Sequence, residues 1–346
     1  RDLHRLIRRQ RQMCIRDSRS RLYEGERLVA LASLSSVAEL GASLFPHDEE
    51  IRGAFELEQR LTAACVEELA FFLRYLSGAQ EALYRALLDR YPLENIKTLL
   101  RLVGRQDAGA RAERLLITLP PELSMPVEDL VRATSVEEFV RRIPLKNARS
   151  RAIAALPLYE RAQQTAFLEM ALDRGYWEGV WQAMGSLWPG DRKACSAPIT
   201  CEYDALRLVA VLRAARTYGL DWEILEQALP LAHGRLSKAR LRRFHEKSDP
   251  DELRRSLPAL RRAPVALEAE EEDESVSHIE DILWRETLRA AVQAFHSAAP
   301  GSGSLGALTG YYYLKRHELR QLTMIAQMIR TGRGQREVVQ ALEVLP

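Results

Sequence analysis

The chain has 346 residues, 47% hydrophobic and 28% charged, which is typical of a folded globular protein with two or three modules. Its longest apolar runs fall short of the roughly 18 to 20 residues that cross a bilayer, and no signal sequence opens it, so we expect no membrane span. The four cysteines show no paired spacing and no nearby histidine cluster. They predict neither a zinc site nor a disulfide framework, and favour reduced thiols in the cytoplasm.

The first 21 residues decide the sign of the net charge. They hold eight arginines and two aspartates, so the formal charge of +2 becomes −4 without them. Residues 13–18, MCIRDS, resemble the translation of a sequencing-library adapter. We therefore interpret residues 1–20 as an artefactual segment and leave them out of the fold reasoning. The alternative is a genuine Arg-rich amphipathic start.

Helical patterns dominate the rest of the chain. Apolar residues recur with the 3.6-residue period of a buried helix face in residues 22–44, 55–76, 82–102, 162–184, 205–215 and 279–295. Prolines lie between these stretches, in residues 119–126, 187–191 and 297–306, where they end helices and start loops. Strand patterns are nearly absent, so the sequence predicts an all-α fold.

A repeat underlies this pattern. Residues 93–120 align without gaps with residues 203–230, and this places Gly109 on Gly219. Residues 310–346 form a third copy after a one-residue shift. Each copy reads as a helix, a glycine break and a second helix. Three copies in the same order, about 110 residues apart, indicate three homologous helical modules.

Two further features recur with the repeat. An earlier helix carries an apolar residue followed by glutamate ahead of each copy, at Leu57-Glu58, Leu168-Glu169 and Ile279-Glu280. The glycines predicted to adopt the left-handed conformation that ends the first helix are Gly109, Gly219 and Gly332 or Gly334.

We predict module boundaries at residues 21–125, 126–265 and 266–346. The third module follows an acidic linker, residues 268–274, whose like charges should keep it exposed and extended. Residues 235–262 carry ten Lys and Arg against four acidic residues, which indicates a solvated helical face. Without interleaved aromatic residues, nucleic-acid binding is only a minor alternative for this segment.

Three stretches imitate functional sites. Residues 301–306, GSGSLG, match a dinucleotide-binding pattern, but a helix and a proline precede them instead of a strand, so we expect a flexible linker. His317 and Glu318 begin a zinc-protease motif, but Gln321 stands where the second histidine is needed. We expect His317 to be a satisfied or exposed histidine.

The third imitation is aromatic. Trp177, Trp181 and Trp188 lie near Tyr176, and aromatic residues at helical spacing are usually core anchors. A surface that grips a partner's helices is the alternative. We predict no catalytic residue, no cofactor-binding residue and no metal ligand in this chain.

The repeat resembles the C subunit of archaeal and bacterial V/A-type ATPases, equivalent to the d subunit of the eukaryotic vacuolar enzyme. Proteins of that family contain one motif three times. In order along the chain, the motif consists of a Glu, an Asn-Leu-Arg-like step, an apolar helix, a break made by a basic residue and a glycine, and a short helix. The three uses are residues 94–101, ENIKTLLR; residues 203–225, with Ala205 in place of Asn; and residues 311–339, with Gln321 in place of Asn and Thr323 in place of Arg. The resemblance covers roughly residues 22–346.

The resemblance implies three helical domains arranged as a pseudo-threefold funnel on the cytoplasmic face of a membrane rotor ring. Such a protein is peripheral to the membrane, joins the ring to the central stalk during proton (or sodium) transport, and has no catalytic residue or cofactor of its own. The alternative is a free-standing α-helical scaffold that binds another protein through a concave face. An enzyme is the weakest interpretation, because no paired carboxylates, nucleophile triad or metal spacing is present.

Overall fold

The computed structural model describes residues 13–47, 51, 53–105, 107–247, 250–262, 272–297 and 305–342. Within these residues the regular structure consists of α-helices and short 3₁₀ helices, without strands. The prediction of an all-α fold is therefore confirmed.

The helices are numbered in chain order. They are α1 (13–21), α2 (Glu26–Ala32), α3 (Val37–Leu44), α4 (Ala54–Ala70), α5 (Gly78–Leu88), α6 (Arg90–Leu100), α7 (Ala108–Leu115), α8 (Val127–Val131), α9 (Val136–Arg142), α10 (Lys146–Ala162), α11 (Thr165–Gly185), α12 (Pro189–Arg216), α13 (Trp222–Ala228), α14 (Lys238–Glu246), α15 (Pro250–Ser256), α16 (Pro258–Arg262), α17 (Glu272–His296), α18 (Leu305–Arg330) and α19 (Gln335–Ala341). Two 3₁₀ helices, Phe71–Tyr75 and Pro121–Leu123, lie between them.

Three helix pairs, each antiparallel, link the repeat copies. α6 packs against α11, α12 against α17, and α18 against α4. The pairing of α6 with α11 is typical: the Nζ of Lys97 lies 2.6 Å from Asp173, and Arg101, which directly follows the last residue of α6, binds Glu169, one turn earlier in α11. The contacts therefore run in opposite directions along the two helices.

The long helices α12 and α18 run parallel to each other. Gly306 at the start of α18 approaches Ala194 near the start of α12, and further along, Tyr313 bonds Glu202. α6 has the same direction, since it is antiparallel to α11, and α11 turns back directly into α12. The carboxyl ends of α6, α12 and α18 therefore lie at one end of the molecule.

A glycine with positive φ follows each of these three helices. Gly104, Gly219 and Gly332 have φ values of 77°, 58° and 72°. The prediction that a glycine in the left-handed conformation ends the first helix of each copy is confirmed for Gly219 and Gly332. The prediction is wrong for Gly109, which lies inside α7: α6 ends at Leu100, and Gly104, five residues before Gly109, makes the left-handed turn.

Three apolar clusters form the interior. The first joins α5, α6, α11 and the first halves of α12 and α18, and the second lies among α12 to α17. The third is built from both ends of the chain: Leu28 and Leu57 pack in one cluster with Ile325 and Val338. The module boundaries at residues 21–125, 126–265 and 266–346 stay a prediction.

Some sequence predictions lie partly outside the described residues. These are residues 1–12 of the suspected artefact, residues 268–271 of the acidic run and residues 301–304 of the glycine-rich stretch. Within the described part, Ile15 of α1 is buried in the first cluster. Residues 272–274 open α17, so the acidic run is not an extended linker over its whole length.

Candidate functional site

α18 is the central helix of the molecule. Every residue from Leu305 to Leu314 is buried, and a helix that is apolar on all sides belongs in the interior of a protein. Its polar residues must therefore find partners on the surrounding helices, since an unpaired buried polar group costs free energy.

Three consecutive tyrosines of α18 reach three different helices. The hydroxyl of Tyr311 donates to Oε1 of Glu68 on α4 at 2.5 Å, and that of Tyr312 donates to the carbonyl oxygen of Leu87 on α5 at 3.1 Å. The hydroxyl of Tyr313 donates to Oε2 of Glu202 on α12 at 2.8 Å. Successive residues of an α-helix point about 100° apart, because 3.6 residues complete a turn. One short run of tyrosines can thus fasten α18 on several sides.

Glu202 ties three of the long helices together. Its Oε1 accepts from Nη1 of Arg90 on α6 at 2.6 Å and lies 2.8 Å from Nη2 of Arg316 on α18, while Oε2 accepts from Tyr313. Burial on its own raises the pKa of the Glu202 carboxyl, but the charges of Arg316 and Arg90 outweigh burial and hold this pKa well below its usual range. Glu202 is therefore an ionised carboxylate with charge-assisted bonds on both oxygens.

Lys315, also on α18, is the centre of a second buried charged cluster. Its Nζ lies 2.7 Å from Glu68 and 2.6 Å from Glu318, and the backbone N–H of Tyr23 donates to Glu318 Oε1 at 2.7 Å. Burial raises the pKa of Glu318. Burial lowers the pKa of Lys315, but the negative charges of Glu318 and Glu68 raise this pKa by more than burial lowers it, so the net shift is upward. This node fastens α18 to α4 and to the segment after α1.

His317 is a satisfied histidine, as predicted. It is 4% exposed, and its Nδ1 accepts from the indole Nε1 of Trp284 on α17 at 3.3 Å. Gln321 lies buried on the same helix. Over the described residues, no group of three or more His, Cys, Asp or Glu side chains is placed to hold a metal ion.

The tryptophans divide between core and surface. Trp177 is completely buried, with its ring 5.1 Å from that of Tyr203, and half-buried Trp181 stacks on His233. Core packing is confirmed for these two. It is wrong for Trp188, which is 81% exposed where α11 turns into α12, because the turn carries its side chain off the packed face.

The glutamate of each apolar-Glu step contacts the long helix of another repeat copy. Arg101 bonds Glu169 through two nitrogens, at 2.8 and 2.5 Å, and Arg213 bonds Glu280 at 2.6 Å. Gln327 of the third copy donates to Glu58, which precedes the first copy. The three contacts form a closed cycle: the first copy holds the second, the second holds the third, and the third holds the first.

A cavity of about 500 Å³ opens beside Glu202, where α6, α11, α12, α17 and α18 meet. Apolar side chains of α12, among them Leu206 and Val209, contribute to its lining. The charged lining residues are the arginines Arg90, Arg213, Arg316 and Arg320 and the carboxylates Asp173, Glu202 and Glu280. The cavity is therefore lined by both apolar and charged side chains.

A family model described as the ATP synthase (C/AC39) subunit matches residues 15–338. The chain belongs to the ATP synthase (C/AC39) subunit family. This confirms the resemblance recognised from the repeated helical motif.

Curated relatives agree with the family match. The C subunit of the A-type ATP synthase of Methanothermobacter thermautotrophicus is 25% identical over 279 residues, which cover 79% of this chain and 70% of that protein. The protein of the same name from Methanosphaera stadtmanae is 21% identical over 318 residues, 90% of this chain and 81% of that protein. An uncharacterized protein of Treponema pallidum is 27% identical over 216 residues, 58% of this chain. The alignment spans only 56% of the Treponema protein's own length.

One buried charged network of this family member was missed from the sequence. Asp204 and Arg207 on α12 are fully buried and paired, and the backbone N–H and the Nε of Arg235 both donate to Asp204, at 3.1 and 2.9 Å. Gly234, with φ of 90°, packs so closely on Arg207 that a Cβ would collide with the guanidinium. Arg235 belongs to the stretch predicted as a solvated basic face, and its side chain is 40% exposed, but its backbone N–H and Nε also reach the buried Asp204.

The repeat alignment contained a signal for this network. In the first copy, Glu94 and Lys97 stand at the places of Asp204 and Arg207, and they too pair across one helical turn, at 3.1 Å. An acidic residue three positions before a basic one, at the same place in two copies, indicates a repeated use of the i,i+3 ion pair within this chain. In the third copy the same places hold Arg320 and Thr323, so the pair is absent there.

Proposed function

We propose that this chain is the non-catalytic subunit of a rotary A/V-type ATPase that joins the central stalk to the membrane rotor ring. In this role it carries torque between proton (or sodium) transport and nucleotide chemistry performed by other subunits. The observation that carries the proposal is the family match over residues 15–338. The two relatives named as the C subunit of an A-type ATP synthase support it over most of their length.

The proposed shape is a funnel of three similar helical domains around a pseudo-threefold axis. The closed cycle of contacts supports this arrangement, since Arg101, Arg213 and Gln327 each bond the glutamate of another copy. Arg101 and Gln327 occupy the same place in the repeat alignment, and Arg213 lies two residues beyond it. Equivalent contacts between successive copies are what rotational pseudo-symmetry produces.

The proposed role requires a rigid subunit whose helices keep their packing when torque is transmitted. Glu202 supports this requirement, because it connects α6, α12 and α18 through charge-assisted bonds in a buried setting. Torque applied to one copy would then be shared with the other two through the central contacts.

An adaptor between two partners needs two separate faces. Tyr218, 66% exposed, lies in the glycine break after α12, at the end shared with the carboxyl ends of α6 and α18. Trp188 lies at the opposite end of α12, which has 28 residues and spans about 42 Å. We propose that each of these two ends meets one partner.

The proposed location is the cytoplasmic face of the membrane, peripheral to it, through contact with the ring. As for the chain itself, no helix in its described parts is both long enough and apolar enough to cross a bilayer. Attachment through the ring is thus a property of the assembled complex in this proposal.

The test is binding of the purified chain to isolated stalk subunits and, separately, to the isolated ring, each followed by size-exclusion chromatography. We expect co-elution with both partners. Trp188→Arg should weaken binding to one partner and Tyr218→Arg binding to the other, because the two residues lie at opposite ends. Ala239→Arg, an exposed site on α14, serves as the control. A chain that binds neither partner would favour the free-standing scaffold instead.

A further inference from the structure

We propose that the cavity between α10, α11 and the end of α13 is a binding site for one small phosphate-type dianion, either free phosphate or a small phosphate ester. The inference goes beyond the proposed coupling role, because it concerns a ligand of the isolated chain and does not depend on the stalk or the ring. Three arginines line this cavity together, with no carboxylate among its described lining residues.

The size of the cavity suits a compact ligand. Its volume is about 250 Å³, which is below the range of roughly 300 to 1,000 Å³ that is usual for drug-sized ligands. Phe167 and Ala171 of α11, both buried, form part of its wall. Ala154 and Ala155 of α10 keep it open, because their methyl groups fill little space. A single phosphoryl group with a few waters fits this volume better than a nucleotide does.

The charged residues of the lining are all arginines. They are Arg151 and Arg161 of α10 and Arg174 of α11. Glu178 of α11, which is outside the lining, accepts from Arg151 at 2.6 Å and from Arg174 at 3.2 Å. Arg161 forms no ion pair with a described residue and donates only to the carbonyl oxygen of Pro157. Three positive charges against one carboxylate leave a surplus of two, which a phosphate dianion would balance.

Other carboxylates on the same helices face away from the cavity or stand outside its lining. Glu160 lies two residues beyond the lining residue Leu158 on α10, and two residues turn an α-helix through about 200°. Asp173 of α11 is bonded by Lys97 on α6. Glu223 of α13 lies a full turn before the part of that helix that lines the cavity. The surplus inside the cavity therefore stays positive.

The three arginines are anchored in a way that leaves hydrogen-bond donors free. Each uses its Nε for a contact with the protein: Arg151 and Arg174 with Glu178, and Arg161 with a carbonyl oxygen of its own helix. Arg174 also donates through Nη1 to the carbonyl oxygen of Gln227 at 2.7 Å. The remaining Nη groups bond no other described residue, and the side chains of Arg151 and Arg174 are 40% and 25% exposed, so a solute can reach them.

This arrangement matches the chemistry of a phosphate. Its oxygens accept several N–H donors at once, and guanidinium groups supply such donors in a fixed fork. Contacts through Nε hold the forks in place before a ligand binds, which lowers the entropy cost of binding.

The experiment titrates the full chain with inorganic phosphate in a chloride buffer by isothermal calorimetry. We expect saturable binding of one phosphate per chain, with competition by sulfate, another tetrahedral dianion. Acetate at the same ionic strength should bind about tenfold more weakly or less, because a monoanion leaves one positive charge unmatched. No saturable binding of phosphate, or equal binding of acetate, would overturn the proposal.

A parallel titration with glycerol 3-phosphate distinguishes the two sources of the phosphoryl group. Binding as tight as that of phosphate would extend the site to phosphate esters, and absence of binding would assign it to free phosphate. Either result leaves the site in place.

Two variants test whether phosphate binds in this cavity. Arg161→Gln removes a lining charge and should weaken binding by about tenfold or more, while Arg114→Gln, exposed on α7, is the matched control and should bind as the wild type does. Ala154→Glu, at an exposed lining position, adds a carboxylate to the cavity and should abolish binding. Thermal melts without phosphate confirm that each variant is folded. Equal binding by folded Arg161→Gln and Arg114→Gln would show an adventitious ion only and would contradict the proposal.

Discussion

At the scale of single residues, charged side chains in this protein serve to hold helices together. Residues 311–318, YYYLKRHE, have the composition of a catalytic site, yet their polar groups are bonded to α4, α5, α12 and α17. A buried ion pair contributes little net stability compared with apolar packing, but removal of one partner leaves an uncompensated charge. The nodes at Glu202 and Lys315 therefore make the packing specific and sensitive to substitution.

Glu202→Gln tests the central node. The amide keeps the shape of the side chain but leaves Arg90 and Arg316 without a counter-charge, so we expect a loss of about 3–5 kcal/mol in the free energy of unfolding. Urea denaturation at neutral pH measures it. Glu128→Gln is the control, since that residue forms only an exposed pair with Arg132 and its loss should have little effect. Equal small effects for both variants would mean that Glu202 is not a structural centre.

The difference in unfolding free energy between the wild type and Glu202→Gln should depend on pH. The pKa of Glu202 in the folded state lies below its ordinary value of 4.5. A carboxyl with a depressed folded pKa stabilises the folded state fully above the unfolded pKa, and this contribution is lost as the pH falls through the folded pKa. The stability difference between wild type and Glu202→Gln should thus stay constant from neutral pH down to about pH 5.5 and shrink below about pH 4.5. A difference that grows in acid would contradict this sign.

Asp89, between α5 and α6, should behave in the opposite way. Burial raises the pKa of its carboxyl to about 6, although Arg85 lowers it in part. A raised pKa means that the folded state binds more protons, so stability falls as the pH rises through about 4 to 6. Asp89→Asn should therefore be more stable than the wild type at about pH 7.5 and equal to it near about pH 4. A less stable variant at the higher pH would show that the carboxylate makes a favourable contact.

At the scale of elements, periodicity predicted the helices well, and their ends less well. Apolar residues at three- and four-residue spacing depend only on which face of a helix is buried, and a single sequence shows this. The break after α6 depends on where the chain can turn, and two glycines, Gly104 and Gly109, were available there. The alignment favoured Gly109, but the turn uses Gly104.

Two glycine-to-alanine substitutions distinguish a glycine that is needed for a left-handed turn from a glycine that lies within a helix. Gly219→Ala places a Cβ on a residue with φ of 58° and should cost about 1–2 kcal/mol, since the left-handed conformation is unfavourable for alanine. Gly109→Ala lies in the first turn of α7, where a Cβ would meet Val131 Cγ1 at an ordinary contact distance of 4.0 Å, and it should stabilise by about 0.5–1 kcal/mol. Thermal melts give both values. Destabilisation by Gly109→Ala would mean that the α7 helix is wrongly placed.

The third apolar cluster gives a further test at this scale. Ile325 of α18 is completely buried among residues from both chain ends, so Ile325→Asp would bury an unpaired charge and should cost about 4 kcal/mol or more. Arg336→Asp, exposed on α19, is the control and should melt close to the wild type. If Ile325→Asp also melts normally, α18 does not form this core.

At the scale of the whole molecule, the sequence predicted the all-α class, three repeat copies and the family, because each depends on patterns along the chain. The contacts between copies could not be predicted in the same way. Glu58, Glu169 and Glu280 were noticed as recurring residues, but only the folded chain shows that each bonds a different copy. The third cluster, shared by both chain ends, was missed for the same reason. The i,i+3 pair of Asp204 and Arg207 was visible in the repeat alignment, but its burial was missed, because the contact of Asp204 with Arg235 joins residues 31 apart in the sequence.

The central claim is that this chain couples the stalk to the ring, and ion transport in reconstituted vesicles tests it most directly. Vesicles carrying the ring and its membrane partners would be combined with the stalk and catalytic subunits, with or without this chain. ATP-driven ion uptake should require the chain, while ATP hydrolysis by the catalytic subunits should continue in its absence. Ion uptake at the full rate without the chain would contradict the account.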